Sequence, residues 1–436
     1  MGYFNELEKA FRYCVDWLAL RHEEGVETGE FQKRIEKYLG DERRRLEKLP
    51  VPTGLAAEEP TELEEIRSLR PLGPRRLEIS LSEEELYDRM LGAWLGRAAG
   101  CIMGIPCEGM SKEGIRSAAK YFRMKYPLTD YWTMDPKPGQ GPGALHYGTT
   151  PREKFLKGRI SFIGADDDLT YTLLGLLILE QYGPDFTPED VGQAWLRYLP
   201  MACTAEHVAL ENLKKGIKPP KTAEKENPYF DWIGADIRSD PWGYAAPGLP
   251  EKAAELAWRD AVVSHKAAGV HGEMFFSAVI AAAFAVKDPI EAVKIGLTEI
   301  PKGCRVAGAV KSALKRCGRD GDWEKTTDAI LAKYEGMSMA HTLNNAELTV
   351  AGLYYGRGDF AGTIALTVMG GVDTDCTGAT AGSIMGAILG AKRLPKKLVT
   401  PLGDGVESYI IGKRRWKSSS VARRFSKIAK AVIGPA

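Results

Sequence analysis

Histidine is scarce in this sequence: there are six, and no two form an HExxH or similar ligand pair. The seven cysteines are odd in number and contain no CxxC. That argues against a zinc ribbon or a disulfide framework and fits a reducing cytoplasm. Neither sign of charge is in excess. The 59 basic and 58 acidic residues leave a net +1, so no global field favours nucleic acid or an anionic membrane. No window approaches about 18 uncharged apolar residues, and no apolar run follows a basic N-terminal start, so neither a membrane span nor a signal peptide is expected. P-loop, GxGxxG and GxSxG patterns are missing. Convincing alternating strand patterns are nearly absent, and no repeat of 20–50 residues is visible.

What is present is helix. "FNELEKAFRYCVDWLALRH" repeats its apolar residues at helical spacing, and residues 51–81 read as a linker. From Ser82 the signals strengthen. "SEEELYDRMLGAWLGRAAG" has a capping serine, early acids and an apolar face, and "TPEDVGQAWLRYL" has a Thr-Pro-Glu start. Pro- and Gly-rich stretches at 126–150 and 217–250 read as loops. The expected architecture is all-α. It comprises a helical N-terminal extension and linker over 1–81, one large multi-helix domain over 82–412 and a basic C-terminal tail over 413–436. The basic runs "DERRRLEKLP" and "GKRRWKSSSVARR" are read as solvated faces or tail.

Two glycine stripes stand out. Glycine recurs at 92, 96, 100 and 104, and again at 378, 382, 386 and 390. Each glycine costs about 0.8–1 kcal/mol against alanine inside a helix. A close backbone-to-backbone crossing offsets such a cost, so both helices are expected to be central and tightly crossed. Acids adjoin both. "GADDDLTY" places Asp166, Asp167 and Asp168 ahead of an apolar helix, and "GGVDTDCTG" places Asp373 and Asp375 ahead of the second stripe. Carboxylates at a helix N-terminus suit either the macrodipole or a hard cation, and both readings stay open for the triplet. The loop "ENPYFDWIGADIRSDPWGYAAPG" carries aromatics and Arg238. It reads equally well as a ring-stacking, anion-gripping loop or as an irregular connection with an internal salt bridge.

Together these pieces resemble the ADP-ribosylglycohydrolase family, which includes the activators of dinitrogenase reductase. "GAWLGRAAGCIMGIPCE" looks like that family's first motif and ends on Glu108. "ADDDLTY" is similar to its Thr/Ser-Asp-Asp-Thr-x-Met, with Asp166 on the Thr/Ser, Asp167 and Asp168 on the Asp pair and Tyr171 on the Met; Ala165 is the other candidate for the first place. "GADIRSDPWG" and "VVSH" resemble its Gly-Ala-x-Met-Arg and Thr/Ser-His segments. "GGVDTDCTGATAG" is similar to Gly-Gly-Asp-Thr-Asp-Thr-x-Gly-Ala. Leu169 and Cys376 stand where the family has threonine.

The resemblance spans 86–391 and implies an all-α hydrolase cleaving a ribosyl bond at two divalent ions, Mg²⁺ or Mn²⁺. It implies metal ligation by Asp166, Asp167, Asp168, Asp373, Asp375 and Cys376, with catalytic roles for Glu108, Asp167 and Asp375. Substrate contacts are expected from Arg238, Gly234, Trp242, Tyr244, His265, His271, Phe275, Gly370 and Gly371. The expected partner is a small-molecule or ADP-ribosylated substrate, with no nucleic acid, no membrane and a monomer favoured. A phosphohydrolase using the same carboxylates, and a non-catalytic crystallin-like binder, are the rival readings.

Overall fold

Helix follows helix in the computed structural model, which describes every residue except 1–3, 51, 138–142, 147–148 and 435–436. Strands among the described residues are confined to two short antiparallel ladders, Leu145–His146 with Thr150–Pro151 and Gly405–Glu407 with Arg415–Lys417. The expected all-α class is what the chain adopts.

Two compact units divide the molecule, Met1–Ala57 with Tyr334–Ser338 and Glu58–Lys333 with Met339–Ala436. In the first, the helices Asn5–Glu23 and Gly29–Leu46 bury none of their residues. The second holds the core. It begins at Glu58, within the segment expected as extension and linker. Ile66 is fully buried, Trp258 Nε1 donates to the Thr61 carbonyl at 2.7 Å, and Arg70 Nη1 reaches Glu299 Oε2 at 2.7 Å. Residues 58–81 therefore pack on the core that follows them. The expected basic tail is also part of this unit. Helix Ser418–Ile433 buries Val421, Ala422, Phe425 and Ala429, and Ser418 Oγ accepts from Trp94 Nε1 at 3.0 Å. Its cations occupy the opposite face, as in any amphipathic surface helix.

At the centre, helix Glu83–Gly104 lies against helix Thr374–Leu389. The first opens on a capping box: Ser82 Oγ accepts from the Glu85 N–H at 3.2 Å, and the Ser82 N–H donates to Glu85 at 2.8 Å. It is long and apolar enough to cross a membrane, but 89% of that stretch is buried in the protein interior as a core helix. The glycine stripes meet antiparallel. Gly92 faces Gly386, Gly96 faces Gly382, Gly100 faces Gly378, and Gly104 faces Thr374. A Cβ at any of these glycines would fall under 3.0 Å from a facing backbone atom. Contact at this range lets Cα–H groups touch carbonyl oxygens across the pair, which offsets the propensity lost. Antiparallel pairing also fixes what lies at the ends. The chain leaving Gly104 turns through Ile105–Cys107 to Glu108, beside the start of the second helix at Asp373.

Candidate metal centre

Two helices begin at this place, and both withhold their N-cap carboxylates. Asp166 is the extended N-cap of helix Asp167–Tyr182, and Asp373 is the N-cap of Thr374–Leu389. Neither makes a side-chain capping hydrogen bond. An aspartate at this position normally accepts from its own helix. Here the Asp166 carboxylate turns elsewhere: Oδ2 lies 2.6 Å from His146 Nε2, and Oδ1 accepts from the Cys101 thiol at 3.3 Å. The capping reading of the aspartate triplet therefore fails for Asp166.

The acids converge. Ligand atoms of His146, Asp166 and Asp375 lie within 4.8 Å of one another, as do those of Asp168, Asp375 and Cys376, and those of Glu108, Asp373 and Asp375. Asp375 belongs to all three groups, so they form one continuous cluster. Asp166, Asp168, Asp373 and Asp375 are buried, while Glu108 and Asp167 are partly exposed. Glu108 is tied to Asp373 through the backbone: the Gly109 N–H donates to the Val372 carbonyl at 2.8 Å, and the Val372 N–H donates to the Met110 carbonyl at 3.3 Å. That turn holds Val372 at φ 62°, an uncommon conformation for a β-branched residue. Gly371 ahead of it has φ 83°, and a Cβ there would meet Met110 O and Lys112 N at 2.9 Å. Gly370 and Gly371 are buried and shape this turn.

Burial and mutual repulsion raise the acids. Burial, then Glu108, pushes Asp373 up to about 6, and the same two causes in the same order hold Asp375 well above the carboxylate range. Asp167 is raised by burial and then by Asp166 and Asp168. Arg97 opposes the rise at Asp168. From inside the first glycine helix, its Nη2 reaches Asp168 Oδ1 at 3.1 Å and the Asp168 and Ile237 carbonyls at 2.7 and 2.6 Å. Its Nη1 pairs with Asp240 Oδ2 at 2.5 Å. Asp168 Oδ2 and Asp375 Oδ1 are buried with no hydrogen-bond partner. Oxygen-rich donors, orphaned buried carboxylate oxygens and uncompensated negative charge are what a hard divalent cation takes up. The residues fit such an ion. Cys376 is the outlier: burial and then Asp168 raise its thiol, and neutral sulfur is a poor partner for Mg²⁺.

His146, Cys101 and Arg97 are additions to the expected set. Asp236 is another. It is buried, neither carboxyl oxygen has a partner, and its pKa is raised by burial and then by Asp373, against the pull of Arg238.

Several expected substrate contacts lie in the core instead. Arg238 is 1% exposed and spends its donors on Glu206 (2.8 Å), Asp260 (2.5 Å), Glu273 (3.4 Å) and the Gly234 carbonyl (2.9 Å). Gly234 is packed against Glu206. Trp242 donates to Glu273 at 2.8 Å, and the Tyr244 hydroxyl pairs with Ser383 at 2.7 Å. Phe275 is fully buried against Phe276. His265 Nδ1 meets Ser264 Oγ at 2.8 Å, and His271 Nε2 donates to the Pro60 carbonyl at 2.8 Å. Burial lowers both imidazoles, with Arg238 adding to it at His265. The 226–248 stretch, expected as a loop, holds the 3-10 turn Asp236–Arg238 and the short helix Asp240–Ala245, and its internal-salt-bridge reading describes Arg238; the anion-gripping one does not.

Comparison with known proteins agrees with this architecture. A family model described as ADP-ribosylglycohydrolase matches residues 82–428. No curated protein matches the chain. Among solved structures, a chain titled "ADP-ribosylglycohydrolase-related protein complex" is 20% identical. The match covers 80% of this chain and 100% of that one with a TM-score of 0.51, a likeness of fold. The chain belongs to the ADP-ribosylglycohydrolase family and is a glycosidic hydrolase of that type.

Proposed function

We propose that the chain cleaves a ribosyl glycosidic bond, ADP-ribosyl-like or nucleoside-like, at a centre of two Mg²⁺ or Mn²⁺ ions. Asp166, Asp167, Asp168, Asp373 and Asp375 would hold the ions, with Cys376 at the edge of the set. Bound there, such ions supply Lewis-acid polarisation and a more acidic water.

The chain's own residues supply the rest. Glu108, partly exposed beside Asp373 and Asp375, is placed to take the proton of the attacking water. The Glu108 carboxylate would also favour the oxocarbenium-like carbon that glycoside cleavage develops. His146 orients the Asp166 carboxylate, and Arg97 holds Asp168 in register. The glycine contact keeps Glu108 and the Asp373–Asp375 turn at one end of the helix pair.

The observation that carries this reading is the convergence of two N-cap aspartates that leave their own helices uncapped. The test is Asp375→Ala assayed with Mg²⁺ on a panel of ribosides, with products analysed. Wild type should release a ribose-type sugar, and the variant should release none. Inorganic phosphate as the product of wild type, or undiminished turnover by the variant, would refute the proposal.

A further inference from the structure

A cavity of about 1220 Å³ lies against the hairpin formed by Gly405–Glu407 and Arg415–Lys417. Lys413, Arg414, Arg415, Lys417 and Arg424 line it, with Trp416. Two acids share the lining, Asp404 and Glu407. Asp404 is already engaged by the Ser419 N–H at 2.7 Å and the Ser419 hydroxyl at 2.8 Å. Arg424 is paired with Glu180. Among the described residues no ion pair joins Lys413, Arg414, Arg415 or Lys417 to an acid. Four exposed cations within five residues repel one another, and a concave wall concentrates their field on whatever enters.

The cavity also has a defined neighbour. The Ile163 N–H donates to the Gly405 carbonyl at 2.9 Å, and the Glu407 N–H donates to the Ile163 carbonyl at 2.9 Å. These bonds bind the hairpin to the strand of chain that delivers Asp166. Ala165 and Thr149, close in sequence to Asp166 and His146, belong to the cavity wall. The basic concavity and the acidic centre thus share one stretch of chain, residues 163–166. Arg238, the cation expected to grip an anion, is locked in the core by Glu206, Asp260 and Glu273.

We propose that this cavity is the subsite for phosphate groups carried by the substrate, gripped by the Lys413–Lys417 run while its ribose sits at the carboxylates. Arginine forks match phosphate oxygens in pairs, and lysine adds point charge. The inference rests on the glycohydrolase reading for the ribose, and on the hairpin alone for the phosphate.

The test titrates inorganic pyrophosphate into the full chain by calorimetry in metal-free buffer. It compares wild type with Arg414→Glu/Arg415→Glu and with Arg414→Lys/Arg415→Lys. Wild type should bind, more weakly as NaCl rises. The glutamate variant should bind at least about tenfold more weakly at unchanged Tm, and the lysine variant should retain most of the affinity. In turnover, the glutamate variant should raise KM for a phosphate-bearing riboside while leaving an uncharged nucleoside unaffected. Equal pyrophosphate binding by wild type and the glutamate variant, or none by wild type, overturns the proposal. Because pyrophosphate binding needs no turnover, the two readings fail separately. Binding without riboside cleavage refutes the hydrolase reading alone, and cleavage without binding refutes the phosphate subsite alone.

Discussion

Replacing Gly100 by alanine tests whether the glycine contact builds the site. Gly100 lies one turn before Gly104, near the end of the helix pair that carries Glu108. A Cβ there would fall under 3.0 Å from both the carbonyl carbon and the oxygen of Gly378, where ordinary contact is 3.4–4 Å. The obstacle is backbone, which cannot rotate aside, so the helices must part. Overpacking of this kind costs about 1–3 kcal/mol, and a backbone wall argues for the upper part of that range. Alanine returns about 1 kcal/mol of helix propensity. The expected net loss is about 1–2 kcal/mol.

The effect on turnover should be larger than the effect on folding. Parting the helices near Gly104 moves Glu108 against Asp373 and Asp375, and a shift of about 1 Å in a reacting group costs on the order of 100-fold. Gly308 supplies the control. It lies inside helix Arg305–Asp320, and a Cβ there meets nothing within 4 Å. Gly308→Ala should stabilise by up to about 1 kcal/mol and leave turnover unchanged. Urea denaturation and riboside hydrolysis on both variants decide the matter. If Gly100→Ala matched Gly308→Ala in stability and activity, the stripe would not be what holds the carboxylates together.

Three further expectations follow from the site. Arg97→Ala strands Asp168 and Asp240 as buried unpaired charges and should cost about 3–5 kcal/mol by urea denaturation; a loss under about 1 kcal/mol would show the ion pairs to be dispensable. Cys376→Thr replaces a neutral thiol with an oxygen donor. It should tighten Mg²⁺ binding by about tenfold and weaken Cd²⁺ binding in calorimetry, whereas unchanged affinities would place residue 376 outside the ligand set. Asp373 has a folded pKa near 6, above its unfolded value, so its contribution is present at low pH and lost as pH rises through about 6. The metal-free protein should therefore lose Tm between about pH 4 and 7. Saturating Mg²⁺ should cancel the loss, because the cation replaces the proton, and a flat metal-free profile would contradict the like-charge cluster.

Which parts of this molecule were legible in the sequence follows from how local each signal is. The glycine stripes and the acids before them were legible because a period of four and an N-cap position are properties of a few adjacent residues. His146 was not. It meets Asp166 from 20 positions away in the chain, and nothing in "GALHYGTT" marks it. Arg97 left a signal that can be read in retrospect. A cation inside "LGRAAGCIMG" has apolar neighbours on every side and must find buried acids.

The stretch 226–248 misled for a different reason. A long loop rich in glycine and proline is expected at the surface with its aromatics free. Here every residue from 233 to 248 is buried. The segment can be buried because Arg238 pairs with Glu206, Asp260 and Glu273 while Trp242 donates to Glu273, and that pairing joins residues far apart in sequence. The basic C-terminus hid a helix in the same way. Val421, Ala422, Phe425 and Ala429 form an apolar stripe at helical spacing, and counting only the cations around it turns a core helix into a tail. Once that helix is docked, the hairpin before it is held in place as well. Its cations are then a fixed wall beside the carboxylates, and net charge alone could not have distinguished that arrangement from a solvated run.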